Sequence, residues 1–194
     1  MSVPLITGSP SAPSRSTALL EAVGERLAAR HARIERLHVR ELPAEALMQA
    51  DTRHPAVAAA IVKVASARAV VVATPVYKAA YGGVLKVFLD LLSQDALKGK
   101  TVLPLATGGS PHHMLALDYA LRPVLQALAA RHILPGVYAT DSQVLQSADK
   151  RYEVGPEIAV RLDDAVLTLL AESFRMPATT GFEPVHFSRV RCSV

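Results

Sequence analysis

The sequence has little cysteine and no tryptophan: Cys192 is the only cysteine among its 194 residues. A single cysteine excludes a disulfide bond within the chain, which agrees with the reducing cytoplasm, and we expect a cytoplasmic protein. No apolar run approaches the roughly 18 residues that span a bilayer, and the N-terminus lacks the basic start and apolar core of a secretory signal. We therefore expect neither a membrane anchor nor secretion.

The excess of positive over negative charge is small. The formal net charge is +4, and the lysine and arginine residues are scattered rather than collected in a run with interleaved aromatic residues. This pattern disfavours a nucleic-acid partner, whereas a mild basic excess suits small phosphorylated ligands.

Motifs of hydrolases and metal enzymes are missing as well. The chain contains no G-x-S-x-G and no H-E-x-x-H motif. His112 and His113 are adjacent and have no cluster of cysteine or carboxylate residues beside them, so we predict no metal site. Asp141 and Asp149 lie among serine and glutamine residues, and we interpret both carboxylates as solvated.

What the sequence does contain is a regular alternation of apolar runs and helical patterns. It predicts one α/β domain over residues 1–174, with a five-stranded parallel, flavodoxin-like sheet in the order 2-1-3-4-5 and helices on both faces. The aperiodic segment 175–194 is predicted to be a tail, either disordered or packed on a neighbouring subunit. The predicted strands span 3–7, 34–39, 69–74, 101–106 and 133–138; the predicted helices span 15–31, 83–92, 114–131 and 156–175, and another starts at Pro55.

The loop between the first strand and the first helix suits a phosphate. Gly8 permits a tight turn, and Ser14, Ser16 or Thr17 can cap the helix that follows. A helix N-terminus with free N–H groups, hydroxyl donors and Arg15 favours an anion. The loop has neither the ending of a Walker A motif nor the glycine pattern of a dinucleotide fingerprint, and an ordinary capped turn remains the alternative.

The loops after the third and fourth strands have unusual compositions too. Pro75, Val76 and Tyr77 offer apolar surface, and Thr107 precedes two glycines whose N–H groups can approach a planar ligand. In the predicted strand order these loops lie beside the first one, at the carboxyl edge of the sheet. Together they suit a flat, redox-active ring with a phosphate tail, because such a cofactor carries its own chemistry. The alternative for Tyr77 and Tyr81, four residues apart, is plain packing.

Three segments resemble the NAD(P)H-dependent FMN reductase family, in particular the reductase component of two-component alkanesulfonate monooxygenase systems. They are Gly8-Ser9-x-x-x-x-Ser14-Arg15-Ser16, Ala73-Thr74-Pro75-Val76-Tyr77-Lys78-Ala79-Ala80-Tyr81 and Leu105-Ala106-Thr107-Gly108-Gly109-Ser110. The resemblance implies FMN at the three loops and hydride transfer from NADPH or NADH to the flavin. It implies a phosphate site of Ser9, Ser14, Arg15 and Ser16, a ring site of Pro75, Val76 and Tyr77, and a ring edge bordered by Thr107, Gly108, Gly109 and Ser110.

The resemblance extends to Tyr119, within the predicted helix 114–131. A tyrosine here is similar to an inserted residue that widens the helix to a π-bulge in this subgroup, at a tetramer interface close to the flavin. The implied role is to let FMN leave as a substrate rather than stay as a prosthetic group. Pro123 independently predicts a broken hydrogen bond near Tyr119, and a proline kink with a buried tyrosine is the alternative.

The resemblance thus implies an FMN reductase that passes reduced flavin to a partner monooxygenase in sulfonate-sulfur assimilation, as a homo-oligomer, either dimer or tetramer. Two alternatives stay open: a quinone or azo-dye reductase with tightly bound FMN, and a non-enzymatic flavodoxin-like carrier. Scattered arginines give no basis for choosing between NADPH and NADH.

Overall fold

Strands and helices alternate through residues 2–175, the part of the chain that the computed structural model describes. The predicted tail, 175–194, lies outside the described residues apart from its first residue. The strands are β1 Ser2–Thr7, β2 Arg33–His38, β3 Ala69–Tyr77, β4 Ala80–Tyr81, β5 Thr101–Gly108, β6 His132–Ile133, β7 Val137–Thr140, β8 Val144–Gln146 and β9 Tyr152–Val154. The α-helices are α1 Arg15–Ala28, α2 Ala44–Met48, α3 Pro55–Ala65, α4 Gly83–Leu89, α5 Arg122–Ala127 and α6 Pro156–Arg175.

The main sheet is parallel and has the order β2-β1-β3-β5-β6, with β7 also paired to β5. The predicted flavodoxin-like order is therefore confirmed, β5 being the fourth predicted strand. The fifth predicted strand, 133–138, is divided into β6 and β7, with Pro135 and Gly136 between them. Proline lacks the N–H group that a continuous ladder requires, which accounts for the interruption.

Helices cover both faces of the sheet, as predicted. Val71 and Ala73 of β3 pack on one face in the core that contains the buried residues of α1 and α6. Val70 and Val72 point to the opposite face, into the core of α3, α4 and α5. Because both faces are buried, the central strand has no polar alternation, and its run of small and β-branched residues is explained.

Several boundaries differ from the predicted ones. The first helix ends at Ala28 rather than at residue 31, because His31 turns into the left-handed region with φ 61°. The third strand continues past residue 74 to Tyr77 and returns through β4, with Lys78 and Ala79 forming the turn at φ 49° and 62°. Positive φ at two successive residues is typical of a two-residue hairpin turn, although neither residue is glycine.

The predicted helix 114–131 is three segments rather than one. A 3₁₀ turn over Pro111–Leu115 is followed by a π-helical turn over Leu117–Leu121 and then by α5. The N–H of Arg122 donates to the carbonyl of Leu117, five residues earlier. The predicted π-turn at Tyr119 is therefore confirmed. The prediction of a single continuous helix is wrong, because apolar periodicity does not distinguish the hydrogen-bond patterns of a 3₁₀, a π and an α helix.

The approach of the β1–α1 loop to α4 yields a stability prediction. A Cβ atom on Gly8 would lie 2.3 Å from the Cβ of Leu85 and 2.9 Å from its Cα. Gly8→Ala therefore forces the loop away from α4, and we expect a loss of about 1–3 kcal/mol in the free energy of unfolding. The matched control is Gly83→Ala, whose new methyl group meets no atom within 4 Å and lies in a helix. Urea unfolding of both variants tests this, and equal midpoints would contradict the packing argument.

No helix within the described range has the length and apolar character needed to cross a bilayer. Over the same residues, no three histidine, cysteine, aspartate or glutamate side chains are grouped as metal ligands.

Candidate functional site

The N-terminus of α1 forms one end of the site. Ser14 is the N-cap: its backbone is extended, and its hydroxyl accepts a hydrogen bond from the N–H of Thr17 at 3.3 Å. The Ser14 hydroxyl also lies 3.0 Å from that of Ser16. One N–H group of the first turn is thus satisfied, and the remaining free donors and the helix dipole favour a negative charge at this point.

The loop before α1 is held by its own hydroxyl groups and by a neighbouring arginine. Ser9 is buried, and its hydroxyl accepts from the N–H of Ser11 at 3.2 Å. Thr7 and Thr17 place their hydroxyls 3.1 Å apart across the base of the loop. The guanidinium of Arg40 donates to the carbonyl of Ser11. These contacts fix the shape of the loop before any ligand is present.

Arg15, the first residue of α1, is held in place by two groups and faces a third. Its Nε donates to the carbonyl of Val144 at 3.1 Å, and its guanidinium carbon lies 4.9 Å from the ring centroid of Tyr152. Its NH1 nitrogen lies 3.5 Å from the Oδ2 atom of Asp141. The side chain remains one-third exposed, so the positive charge is positioned by the protein and still accessible.

The β3–β4 hairpin supplies an apolar wall. Val76 pairs with Tyr81 across the hairpin, and Tyr77 pairs with Ala80. At its base the Thr74 hydroxyl accepts from the N–H of Gly82 at 2.9 Å. Val76 is nearly buried, whereas Tyr77 is 52% exposed, so the hairpin presents an aromatic side chain to solvent.

The end of β5 supplies a glycine edge that packs on a tyrosine. A Cβ atom on Gly108 would lie 2.6 Å from the Tyr138 hydroxyl and 3.3 Å from the Cβ of Val76. That hydroxyl donates to the carbonyl of Ser110 at 2.6 Å. Burial, and secondarily the negative charge of Asp141, raises the pKa of the Tyr138 phenol, which therefore remains a donor at neutral pH. Glycine at this position keeps the loop close to the phenol and its amides free of a covering side chain.

These elements surround one cleft of about 260 Å³. Nine of the residues predicted from sequence line it: Ser9, Ser14, Arg15, Pro75, Val76, Tyr77, Thr107, Gly108 and Gly109. Three do not. Ser16 is buried beneath Ser14, Ser110 caps the following turn through its hydroxyl, and Tyr119 is 78% exposed outside the cleft.

Four lining residues were not predicted from sequence as site residues: Ser11, Pro13, Asp141 and Tyr152. Asp149 is exposed, as interpreted. Asp141 is half exposed as well, but its carboxylate also faces Arg15 in the cleft. It follows β7 directly and so lies at the same carboxyl edge as the other three loops, a position that the strand order makes predictable. Tyr152 belongs to the short β8–β9 hairpin, whose three-residue strands carry little periodic signal.

The chemistry of the cleft is that of binding rather than of acid–base catalysis. Among its lining residues, Arg15 is the only cation and Asp141 the only anion. One end combines hydroxyl groups, a helix N-terminus and a guanidinium, which suits a phosphate. The other side has an apolar wall beside the glycines at the end of β5, a Cβ on Gly108 lying 3.3 Å from that of Val76, and this combination suits the face and polar edge of a flat ring.

Several known proteins are similar to this chain in sequence and in fold. A sequence model of the family described as NADPH-dependent FMN reductase matches residues 1–144. The chain belongs to the NADPH-dependent FMN reductase family. It is 46% identical over 168 residues to an FMN reductase (NADPH) of Escherichia coli, with 87% of each chain covered. It is 45% identical over 178 residues to an FMN reductase (NADPH) of Pseudomonas putida, with 91% of this chain and 90% of the relative covered.

A solved structure agrees with these relatives. The apo form of an NADH:FMN oxidoreductase superposes with a TM-score of 0.80 and 38% identity, over 92% of this chain and 91% of the other. The predicted family and enzyme class are therefore confirmed: this FMN reductase is an oxidoreductase that uses FMN and a reduced nicotinamide nucleotide. The alternative of a non-enzymatic carrier is set aside.

Proposed function

We propose that this FMN reductase binds FMN in the cleft at the carboxyl edge of the sheet and reduces it with hydride from NADPH or NADH. The observation that carries the proposal is the convergence of three loops, after β1, β3 and β5, on one cleft with a phosphate-type end and a ring-type wall. Neither the phosphate-type end nor the apolar wall alone identifies FMN, but a flat ring that carries a single phosphate requires both.

The residues divide by the part of FMN that they suit. For the phosphate, we assign the hydroxyls of Ser9 and Ser14 and the guanidinium of Arg15, with Ser16 supporting the cap from behind. Pro75, Val76 and Tyr77 would contact the ring face, and Thr107, Gly108, Gly109 and Ser110 would border its polar edge. Bound FMN supplies the redox chemistry, because its ring accepts a hydride.

The protein's own contribution is binding, orientation and electrostatics. In this proposal, backbone N–H groups at the Gly108–Gly109 turn would stabilise negative charge on the reduced ring, and no side chain in the cleft need act as a nucleophile. Tyr77 is half exposed, which leaves the apolar wall accessible for a second planar group, the nicotinamide. Family relatives named for NADPH and a structural neighbour named for NADH leave both nucleotides within the proposal.

The wider role is part of the same proposal. Reduced FMN would pass to a flavin-dependent monooxygenase, and the sequence resemblance to the reductase of alkanesulfonate systems supports this partner. A homo-oligomer, dimer or tetramer, and a cytoplasmic location stay predictions, as does the domain boundary at residue 174. Light scattering on the purified protein measures the subunit number directly.

The test is oxidation of NADPH and of NADH by the purified protein, followed by nicotinamide absorbance, with and without added FMN, FAD and riboflavin. We expect oxidation that depends on added FMN. A protein that is yellow as purified and reduces quinones or azo dyes without added flavin would favour the alternative of a tightly bound prosthetic group. Addition of an alkanesulfonate monooxygenase and its sulfonate tests the partner, with sulfite release as the readout.

A further inference from the structure

Asp141 places a negative charge in the same cleft that has the features of a phosphate site. It is the first residue of a 3₁₀ turn, Asp141–Gln143, that follows β7, and this turn is fixed by a capping box in which the N–H of Thr140 donates to Gln143 at 3.0 Å. The Gln143 amide in turn donates to Glu157 of α6 at 3.2 Å. Asp141 is therefore held at the cleft by the fold and not by a mobile loop.

Arg15 does not depend on Asp141 for its position. The Val144 carbonyl and the Tyr152 ring already hold the guanidinium from two directions. The Arg15–Asp141 separation of 3.5 Å exceeds the roughly 2.7–2.9 Å of a strong charge-assisted hydrogen bond. The carboxylate therefore contributes little to orientation, while its Coulomb field acts on both the guanidinium and any anion beside it.

The formal charges of the side chains that line the cleft sum to zero, and the guanidinium of Arg40 lies behind them, donating to the carbonyl of Ser11. Arg15 contributes the single positive charge and Asp141 the single negative charge among the lining side chains. An FMN phosphate, which carries between one and two negative charges at neutral pH, would thus be attracted by Arg15, the hydroxyl groups and the α1 N-terminus, and repelled by Asp141. A carboxylate at this position lowers the affinity for a phosphate, because the two groups carry charge of the same sign.

We propose that Asp141 is a specificity-determining residue that weakens the hold on the FMN phosphate and so keeps FMN exchangeable between the protein and solution. The inference rests on the proposed function, in which the FMN phosphate occupies the α1 end of the cleft. It predicts that the carboxylate lowers the affinity for phosphorylated flavins and does not change the affinity for riboflavin, which lacks the phosphate. Exchange is thereby favoured at the cost of discrimination between FMN and riboflavin.

The experiment compares Asp141→Asn with the wild-type chain in fluorescence titrations of FMN and riboflavin. We expect the variant to bind FMN about three- to tenfold more tightly, with a slower dissociation rate and unchanged riboflavin affinity. The matched control is Glu153→Gln, which removes the same charge from an exposed position on the β8–β9 hairpin outside the cleft and should leave both affinities unchanged. Asp141→Glu, which retains the charge, should keep FMN affinity near that of the wild type.

Each outcome has a distinct meaning. Unchanged or weaker FMN binding by a folded Asp141→Asn variant would overturn the inference, and weaker binding would show that the carboxylate orients Arg15 instead. An equal gain in riboflavin affinity would overturn the inference too, because the effect of Asp141 would then not act through the phosphate. If the wild-type chain neither binds nor reduces FMN, the proposed function itself fails; if it does both and only the Asp141→Asn result fails, the proposed function stands.

Discussion

Arg15→Gln is expected to weaken FMN binding by about 10- to 100-fold, because a charge-assisted hydrogen bond is worth about 1.5–3 kcal/mol. The guanidinium is the only cationic group that lines the cleft within the described residues, and one-third of the side chain is exposed. Riboflavin affinity should change little, since the lost interaction is with the phosphate. Titration of both flavins, followed by fluorescence, measures the two affinities.

Two controls separate charge from packing. Arg15→Gln also removes the contacts with Val144 and Tyr152. If the β8–β9 hairpin loosens as a result, the binding of both FMN and riboflavin would be weakened, and not that of FMN alone. Arg53→Gln removes an equal charge from an exposed position away from the cleft and should have no effect. Unchanged FMN affinity in Arg15→Gln would count against the assignment of the phosphate to this end of the cleft.

In the proposed exchange of FMN with solution, deletion of Tyr119 is expected to yield an enzyme that retains FMN instead. The π-turn Leu117–Leu121 contains the extra residue, and removing it restores the register of an ordinary α-helix. This turn packs on β4 and directly follows the segment after β5, so a change in its register reaches two walls of the cleft. We expect yellow protein on purification and a fall of about tenfold or more in the turnover of added FMN, as release becomes limiting.

The control for the deletion is Tyr119→Ala. It removes the side chain, which is 78% exposed, but keeps the extra residue and the π-turn. If helix register controls exchange, the substituted protein remains colourless and active; if the phenol itself matters, it behaves like the deletion. A colourless and fully active deletion variant would reject the role of the π-turn.

The main elements of this fold could be predicted from sequence because their signals are local. The buried run 69–74 and the capped start of α1 at Ser14 need only burial and hydrogen bonding to be recognised. The carboxyl-edge rule then brings the loops after β1, β3 and β5 together without any knowledge of side-chain contacts. Eight of the nine predicted lining residues were accessible in this way, and Ser9 was implied by the family resemblance alone.

The remaining features depend on contacts between distant segments. The pair of Arg15 and Asp141 joins residues far apart in the chain, and no local pattern marks it. Tyr152 stacks on Arg15 only because the β8–β9 hairpin folds back over α1. The π-turn could be predicted because the resemblance and Pro123 both pointed to it. The break between β6 and β7 was not predicted, although Pro135 and Gly136 are a local signal for it.

The most direct test of the proposed FMN site is a crystal structure of this FMN reductase with FMN. We expect density for the phosphate at the N-terminus of α1, beside Ser14 and Arg15, and for the ring between the Pro75–Tyr77 segment and the glycines at the end of β5. FMN bound elsewhere, or in this cleft with its phosphate at the glycine end, would contradict it.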